Sequence, residues 1–415
     1  MTYQIIAPEK LHVTVKLPAS KSISNRSLII YALAGGRMLP HNLSDCDDTQ
    51  VIIDAIRYMP EVIDIKGAGT AMRFMTAYLS VMRGRHVLTG TERMKHRPIG
   101  ILVDALRQLG ADIEYQGTEG FPPLVVKGQT LRGGSLEIAG NVSSQYISAL
   151  LMIGPMLAEG LELKLKGEII SRPYIDLTLW MMHEFGADAD WSSIDAITVK
   201  PQPYRGREYL IENDWSGASY WYEMMSLTQD REAEVKLTGL TDGSKQGDSV
   251  VRYIFSLLGV KTIFESHDDG QPQTVTLRRS NMCVPRLEYD FGNSPDLAQT
   301  VVVACCMKGV PFRFTGLSTL KIKETDRIEA LKTEMRKLGY LLKSENDNCL
   351  IWDGSRTDLQ KDAAIDTYDD HRMALAFAPA SLKQPILINN PQVVTKSYPS
   401  YWDDLALAGF EVNTH

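Results

Sequence analysis

Five predicted helices end in glycine at regular intervals along the chain. The helix ends are Leu109-Gly110, Phe185-Gly186, Leu258-Gly259, Leu338-Gly339 and Ala408-Gly409, and successive glycines are 76, 73, 80 and 70 residues apart. Glycine is favoured just after a helix because it adopts a left-handed conformation without strain. Since the units of a solenoid are shorter, this spacing predicts repeated α/β subdomains.

Two alternations of polar and apolar residues follow each of the first four glycines. The first alternations cover residues 111–115, 187–191, 260–264 and 340–343, and the second cover residues 123–127, 196–200, 274–277 and 349–352. Each pair predicts a β-hairpin, because alternation is typical of strands. A weaker first copy ends near Met59-Pro60. We therefore expect six copies, three in each of two domains, in a chain of 415 residues that is too long for one core.

Composition and charge restrict the class of protein. The net charge is −7, so the chain as a whole does not attract nucleic acid. Its five cysteines form no CxxC pair, which argues against a disulfide framework or a zinc site and suits a reducing compartment. No signal peptide is evident, and the longest apolar stretch, residues 146–158, is too short and interrupted to cross a bilayer. We expect a cytoplasmic protein without a membrane or nucleic-acid partner, and a monomer because no interface feature stands out.

Four polar clusters directly precede apolar helical runs. They are residues 21–26, 67–73, 143–145 and 369–372. A helix N-terminus presents free N–H groups and the positive end of the helix dipole, so it attracts anions. Several such starts with lysine, arginine, serine or glutamine predict a site for a multiply charged anion such as a phosphate. Ser143 and Ser144 could equally be simple N-caps.

A fifth cluster, Lys323-Glu324-Thr325-Asp326-Arg327, leads into an amphipathic helix. Thr325 or Asp326 is the expected N-cap. Lys323 and Arg327 lie four residues apart, so on one helix face they repel each other unless a negative group lies between them. The alternative interpretation is a solvated helix end neutralised by Glu324 and Asp326.

Several other motifs fail on spacing. Gly67 and Gly69 lack the third glycine of a dinucleotide fingerprint, because Met72 stands there, and no P-loop lysine follows. His183-Glu184 has no second histidine four residues later, so it is not a zinc-protease motif. His371 could be a structural partner of Asp369, and residues 305–307 are expected to be core.

Nine segments together carry a resemblance to a known family. They are LPASKSISNR (17–26), GAGTAMR (67–73), RMKHRPIG (93–100), VSSQ (142–145), SRPYID (171–176), PD (295–296), KETDR (323–327), DHRM (370–373) and TK (395–396). In this order they resemble the 5-enolpyruvylshikimate-3-phosphate synthases, also called 3-phosphoshikimate 1-carboxyvinyltransferases. The resemblance covers nearly the whole chain.

The resemblance implies a reaction and a fold. The enolpyruvyl group of phosphoenolpyruvate would pass to the 5-hydroxyl of shikimate 3-phosphate through a tetrahedral intermediate, releasing phosphate without a metal or organic cofactor. This step belongs to the shikimate pathway of chorismate and aromatic amino acid biosynthesis, and the family is the target of glyphosate. The implied fold is a two-domain inside-out α/β barrel of about six βαβαββ-type repeats. Residues 1–19 and 213–415 would form one domain and residues 20–212 the other, with the active site in the cleft.

The resemblance also implies roles for individual residues. Shikimate 3-phosphate would be bound by Lys21, Ser22, Arg26, Ser143, Ser144, Gln145, Ser171, Tyr174, Asp296, Thr319 and Lys323. Phosphoenolpyruvate would be bound by Lys21, Gly69, Arg97, Gln145, Arg327, Arg372 and Lys396. The catalytic set would be Asp296, Glu324, Lys21, Lys396 and His371, with Asp296 accepting the hydroxyl proton and Glu324 serving proton transfer at the methylene carbon.

This chain departs from the family pattern at several points. Gly67 stands where asparagine is usual, Phe74 where proline is common, and Thr319 where asparagine is often found. The interval between Lys21 and Thr70 is shorter than usual, so we expect one repeat to have lost its hairpin.

Two other functions remain to be weighed. UDP-N-acetylglucosamine enolpyruvyl transferase shares the fold, but it usually bears a cysteine in a second-domain loop, and here no cysteine lies between Cys46 and Cys283. A non-catalytic relative that binds phosphorylated metabolites would explain Gly67 and the shortened repeat. It would not need Asp296 and Glu324, whose negative charges oppose anion binding.

Overall fold

The protein's computed structural model describes residues 1–36, 38–265 and 273–415. Two compact units are formed, the first from Met1–Pro18 and Glu212–His415 and the second from Ala19–Ile211. Every helix within the described ranges is too short or too polar to cross a membrane.

The secondary structure alternates between strands and helices along the chain. The strands are β1 Thr2–Ile6, β2 His12–Lys16, β3 Val62–Asp64, β4 Gly84–Thr89, β5 Asp112–Tyr115, β6 Leu124–Gly128, β7 Gly134–Ala139, β8 Leu161–Lys166, β9 Ala189–Trp191, β10 Ala196–Val199, β11 Glu234–Leu240, β12 Val260–Glu265, β13 Gln273–Arg279, β14 Leu287–Asp290, β15 Phe312–Thr315, β16 Lys343–Glu345, β17 Cys349–Trp352, β18 Ala364–Ile365, β19 Ile386–Asn389 and β20 Glu411–Thr414. The α-helices are α1 Lys21–Leu33, α2 Asp47–Tyr58, α3 Gly69–Val81, α4 Glu92–Lys95, α5 Gly100–Gln108, α6 Ser144–Ile153, α7 Arg172–Glu184, α8 Trp215–Leu227, α9 Val251–Ser256, α10 Ala298–Lys308, α11 Arg327–Lys337, α12 His371–Phe377 and α13 Tyr401–Leu407. Short 3-10 helices occupy Gly154–Met156, Gly247–Val250, Pro295–Leu297, Ser318–Ile322, Ala378–Leu382 and Pro391–Lys396.

Five four-stranded sheets share one topology. The second unit holds the sheets β3-β4-β6-β5 and β7-β8-β10-β9, and the first holds β12-β13-β11-β2, β14-β15-β17-β16 and β18-β19-β1-β20. In each sheet a parallel pair, such as β3 and β4, is followed by an antiparallel hairpin, such as β5 and β6. A helix links the parallel strands, as such a crossover requires. The predicted α/β repeat is therefore confirmed.

The chain ends complete the last repeat of the first unit. Strand β1 pairs with both β19 and β20 in antiparallel register, so the N-terminal strand forms a hairpin-like pair with the C-terminal strand. Strand β2 likewise begins a repeat that continues at α8 and pairs in parallel with β11. Each of these repeats is thus assembled from two distant parts of the chain.

The shortened repeat lies between residues 19 and 60. Its described residues form α1 and α2 and no strand, apart from isolated bridge residues at Ala19 and at His41, which pairs with Leu210. Helix α2 ends at Met59, whose φ of 41° places it in the left-handed region. The expected loss of the hairpin from this copy is confirmed, and the copy retains its two helices.

The predicted helix ends and hairpins agree with the structure, with one exception. All five helix-ending glycines have positive φ, between 83° and 105°. The first strand of the fourth hairpin was predicted at 340–343, but β16 begins only at Lys343. Tyr340 instead forms an isolated bridge with Arg356, and its ring packs edge-on against Trp352 at 5.4 Å. Burial of this aromatic ring therefore takes Tyr340 out of the strand.

Each unit has its own apolar core, in which one helix of each complete repeat is buried almost all round. These helices are α3, α6, α8, α10 and α12. A helix that is apolar on every side belongs in a core. Cys305 and Cys306 of α10 are fully buried, which confirms their predicted packing role.

Glu223 is an ionisable group within the core of the first unit. It lies in α8 with no exposed surface, and among the described residues neither carboxyl oxygen has a hydrogen-bond partner. Burial raises the pKa of this carboxyl well above its usual range. The group is therefore kept neutral in the folded protein, since an unpaired buried charge is very costly.

Replacing Glu223 by methionine should stabilise the protein at alkaline pH. As pH rises above about 4.5, the carboxyl ionises in the unfolded chain but not in the folded one, which lowers the free energy of unfolding by up to about 1.4 kcal/mol per pH unit. Urea unfolding at pH 6 and pH 8 measures this loss, which Glu223→Met should remove. The exposed Glu9→Met in the same unit is the control and should keep the wild-type pH dependence. Equal pH dependence in Glu223→Met and wild type would contradict the assignment.

Candidate active site

The first turns of four helices lie side by side in the second unit. Gln145 in α6 donates from Nε2 to Thr70 Oγ1 in α3 at 3.1 Å. Arg26 in α1 donates from Nη2 to Ser148 Oγ in α6 at 3.2 Å and to the Tyr174 carbonyl in α7 at 3.4 Å. The N-terminal N–H groups and the positive dipole ends of α1, α3, α6 and α7 are thereby gathered, as expected of an anion site.

Arg26 is the polar centre of this helix group. Only 3% of the residue is exposed, and its guanidinium also donates to Thr178 Oγ1 at 2.7 Å and to the Ser22 carbonyl at 2.9 Å. Burial lowers the pKa of Arg26 to about 10. Its guanidinium thus donates to hydroxyl and carbonyl oxygens of neutral residues.

Gly69 and Arg97 form a close pair at the start of α3. A Cβ atom placed on Gly69 would lie 2.7 Å from Arg97 Nη1, so the guanidinium rests directly against the first helical residue. Within the described ranges, the buried Nε of Arg97 has no hydrogen-bond partner. Arg97 therefore keeps donor capacity for an anion bound at this helix end.

The serines predicted as ligands stand at the starts of α6 and α7. Ser143 is the N-cap of α6, and its Oγ accepts from the backbone N–H of Gln145 at 3.3 Å, which confirms the N-cap interpretation. Ser144 is the first residue of that helix. Ser171 precedes α7 with φ 53° and ψ 35°, a left-handed conformation that costs a non-glycine residue about 1–3 kcal/mol. Such a conformation is common at ligand-binding positions.

Lys21 has an acidic neighbour that sequence analysis missed. It is the first residue of α1, and its Nζ lies 3.1 Å from Asp48 Oδ2 at the start of α2. Both side chains are mostly buried, with exposures of 15% and 11%. Because the two residues lie in different helices, 27 positions apart, only the fold brings these charges together.

In the first unit, Arg327 is surrounded by three carboxylates. Its Nε donates to Asp370 Oδ2 at 2.7 Å, Nη1 to Asp296 Oδ1 at 2.9 Å, and Nη2 to Glu324 Oε2 at 2.9 Å. The side chain is 1% exposed. Burial alone would lower the pKa of the guanidinium, but these three acids together raise it above its usual value.

Asp296 is the most strongly paired acid of this group. Arg372 Nη2 donates to its Oδ2 at 3.0 Å, and Lys323 Nζ lies 3.7 Å from its Oδ1. Burial would raise the pKa of this carboxyl, yet Arg372, Lys323 and Arg327 hold it far below the usual range. Asp296 thus lies between Lys323 and Arg327, where sequence analysis required a negative group.

Three further residues of the first unit were not predicted as site residues. Asp370 is the N-cap of α12 and accepts from the Arg372 amide at 2.9 Å in addition to its bonds with Arg327. Tyr220, buried in α8, accepts from Arg372 Nη1 at 3.3 Å. Asp248 accepts from the Ser216 hydroxyl, and burial together with Asp296 raises its pKa to about 6. The aspartate before His371 could have been recognised as a cap, whereas Tyr220 and Asp248 have no sequence signature.

The remaining predicted residues lie near this group or on its rim. Lys396 donates from Nζ to the Asp369 carbonyl at 2.6 Å. His371 is buried, with Nδ1 3.9 Å from Asp370 Oδ1, while the carboxylate of Asp369 accepts from Asn390 at 2.8 Å. In the described part of the chain, the buried hydroxyl of Thr319 has no hydrogen-bond partner.

Chemically, the two units offer complementary groups. The second unit gathers helix N-termini, hydroxyls and two arginines, which suit phosphate and carboxylate oxygens. The first unit holds ionised carboxylates among fixed cations, which suits proton transfer beside a developing charge. Across the described residues, no cluster of three or more histidine, cysteine or acidic side chains is arranged to hold a metal ion.

Comparison with known proteins identifies the family. The family model for EPSP synthase (3-phosphoshikimate 1-carboxyvinyltransferase) matches residues 5–65 and 58–405. A 3-phosphoshikimate 1-carboxyvinyltransferase from Bacteroides fragilis is 58% identical over 413 residues, covering 99% of each chain. One from Photobacterium profundum is 37% identical and covers 94% of this chain and 95% of its own.

Solved structures agree on the fold. An EPSP synthase from Acinetobacter baumannii superposes with a TM-score of 0.78 at 20% identity, covering 100% of both chains. The enolpyruvyl transferase NikO from Streptomyces tendae has a TM-score of 0.73 at 13% identity, covering 99% of this chain and 98% of its own. Family model, full-length relatives and fold converge, and the chain belongs to the EPSP synthase (3-phosphoshikimate 1-carboxyvinyltransferase) family.

Proposed function

We propose that the protein transfers the enolpyruvyl group of phosphoenolpyruvate to the 5-hydroxyl of shikimate 3-phosphate, and that the two groups of side chains described above act on this one pair of substrates. The observation that carries the proposal is the full-length 58% identity to a 3-phosphoshikimate 1-carboxyvinyltransferase. The groups also fit the substrates, because two anions must be bound and protons must be moved. UDP-N-acetylglucosamine transfer and a purely binding role are not favoured.

The second unit is proposed to bind phosphate and carboxylate groups. Arg97 and the start of α3 at Gly69 would take phosphoenolpyruvate, with Gln145 and Lys21 adding donors. Ser22, Arg26, Ser143, Ser144, Ser171 and Tyr174 would take shikimate 3-phosphate. Support comes from the open donor of Arg97 and from the four gathered helix starts.

Asp296 is proposed as the acceptor of the 5-hydroxyl proton. Its surrounding cations keep it ionised, so it is ready to accept a hydrogen bond from a hydroxyl. As the hydroxyl oxygen attacks, the proton moves toward Asp296. Lys323 would contact shikimate 3-phosphate from the same side, 3.7 Å from the carboxylate, and Thr319 would add its free hydroxyl.

Glu324 is proposed to serve proton transfer at the methylene carbon of phosphoenolpyruvate. It is 20% exposed, more than Arg327 beside it, so a substrate can reach it. Arg327 directs four of its five N–H bonds at three carboxylates, so its proposed contact with phosphoenolpyruvate would use the second N–H of Nη1. Arg372 and Lys396 would complete the set of cations around phosphoenolpyruvate. His371 and Lys21 would complete the catalytic group. These cations would stabilise the tetrahedral intermediate and the departing phosphate.

The wider setting is also proposed. The five cysteines are free, which suits a reducing cytoplasm, and the negative net charge favours no nucleic-acid partner. We propose a monomer that needs no cofactor.

Phosphate release tests the reaction directly. Purified protein should release phosphate only when both phosphoenolpyruvate and shikimate 3-phosphate are present, and each substrate is omitted in turn as the control. Release with UDP-N-acetylglucosamine in place of shikimate 3-phosphate, or no release with either acceptor, would refute the proposal.

Replacing Glu324 by glutamine should abolish most turnover while leaving shikimate 3-phosphate binding within a few-fold of wild type. A positioned acid or base contributes about 10²–10⁴-fold, so kcat should fall by this factor. Glu329→Gln is the matched control, because Glu329 lies further along α11 and pairs with Lys332 at 2.7 Å on the surface. A normal kcat together with lost shikimate 3-phosphate binding would assign Glu324 to binding instead.

Adding one methyl group at Gly69 should weaken phosphoenolpyruvate binding. The new Cβ of Gly69→Ala would lie 2.7 Å from Arg97 Nη1 and push the guanidinium away, so we expect KM for phosphoenolpyruvate to rise about tenfold, or ~1.4 kcal/mol. Gly67→Ala is the control, since nothing lies within 4 Å of its added Cβ. Steady-state kinetics with saturating shikimate 3-phosphate measures both variants. Equal KM values in the two variants would show that Arg97 does not bind phosphoenolpyruvate.

A further inference from the structure

A cavity lies in the first unit, away from the carboxylates around Arg327. It has a volume of about 400 Å³ and is open to solvent. Helix ends form much of its wall, with Met307 from α10 and Leu338-Gly339 from the end of α11. A volume of this size is within the range of small-molecule sites, which is about 300–1,000 Å³.

Two cations and no acid line this cavity among the described residues. Arg356 lies with its guanidinium carbon 3.8 Å from the centre of the Tyr340 ring, so its charge is held in place by stacking. Lys383 lines the cavity as well, and burial together with Lys308 and Arg279 lowers its pKa. Both cations thus line one cavity in a chain whose net charge is −7.

Cations often stand at helix C-termini, where they neutralise the helix dipole, but this explains only part of the positive charge near the cavity. Lys308 is the last residue of α10 and donates to the Ser226 carbonyl at 2.8 Å, as a cation near a helix C-terminus commonly does. Arg356 follows β17 in a loop and has no helix end to neutralise. Arg356 is exposed, so its guanidinium is accessible to an anion at the cavity.

Apart from Gly339, Thr357 and Gln384, the rest of the lining is apolar or aromatic. Met307, Leu338 and Tyr340 are buried at the cavity wall, and Leu359 at its rim is 47% exposed. The apolar surface suits a hydrocarbon or aromatic body, and the planar guanidinium of Arg356 suits a carboxylate.

The cavity is linked to the proposed catalytic group by two helices. Helix α11 begins at Arg327 and ends beside Leu338, about 16 Å away at 1.5 Å per residue. Helix α10 follows Asp296 directly and ends beside Met307. A ligand at the cavity thus touches the far ends of the helices that position Arg327 and Asp296.

We propose that this cavity is a binding site for a small carboxylate with an apolar or aromatic body, held by Arg356 and Lys383 with its body against Met307, Leu338 and Tyr340. The site is separate from the residues assigned to phosphoenolpyruvate and shikimate 3-phosphate. It does not depend on the proposed catalytic roles.

Benzoate is the probe, and isothermal titration calorimetry on the full chain measures its binding. We expect millimolar affinity in the wild type and a loss of about tenfold or more in Arg356→Gln and in Lys383→Gln. Lys261→Gln, an exposed change of the same charge in β12, should bind benzoate like the wild type. Benzyl alcohol, which lacks the charge, should bind much more weakly.

Two further measurements separate this site from the anion-binding residues of the catalytic group. Benzoate binding should persist in Arg372→Gln, and 4-azidobenzoate should label peptides containing residues 338–340 or 356–359 on irradiation. Absence of benzoate binding in the correctly folded wild type would overturn the proposal. So would loss of binding in Arg372→Gln with Arg356→Gln unaffected, because the probe would then occupy the catalytic group.

Discussion

The buried contact of Arg327 with Asp296, Glu324 and Asp370 is the interaction on which the rest of the site depends. It joins residues spread over 74 positions of the chain, from Asp296 to Asp370, at the starts of three helices. A buried cation with 1% exposure would be very costly without these acids beside it. The network therefore fixes the helix starts and keeps Asp296 ionised in one arrangement.

Repetition of one βαβαββ unit explains why such helix starts meet. In each complete repeat a buried helix links two parallel strands, so every complete repeat supplies a helix start of the same kind. The second unit uses this geometry to gather helix dipoles around Arg26 and Gln145. The first unit fills the equivalent position with a charged network. One architecture thus provides an anion-binding group in one unit and a proton-transfer group in the other, and the shortened repeat keeps its helix α1 with Lys21.

Features encoded within short segments could be predicted from the sequence. Helix-ending glycines, hairpin alternation and the Asp326 cap depend on neighbouring residues, and the structure has all of them. Contacts between elements that are distant in the sequence could not be predicted this way. Asp48 lies beside Lys21 only because helices α1 and α2 pack together. In the sequence Tyr220 resembles any core aromatic, and its hydrogen bond with Arg372 forms only in the folded protein. The early start predicted for β16 failed for the same reason, since the core takes up the Tyr340 ring.

A double-mutant cycle between Arg327→Met and Asp370→Asn tests the central claim most directly. Each single change removes part of this buried ion-pair network and should lower the free energy of unfolding, by up to about 3–5 kcal/mol. The double variant should lose clearly less free energy of unfolding than the sum of the two single losses. Once one partner of the pair has been removed, removing the other breaks no further contact between them. Urea unfolding of the four proteins gives the coupling energy. Additive effects would contradict the account, since Arg327 and Asp370 would then not act as one unit.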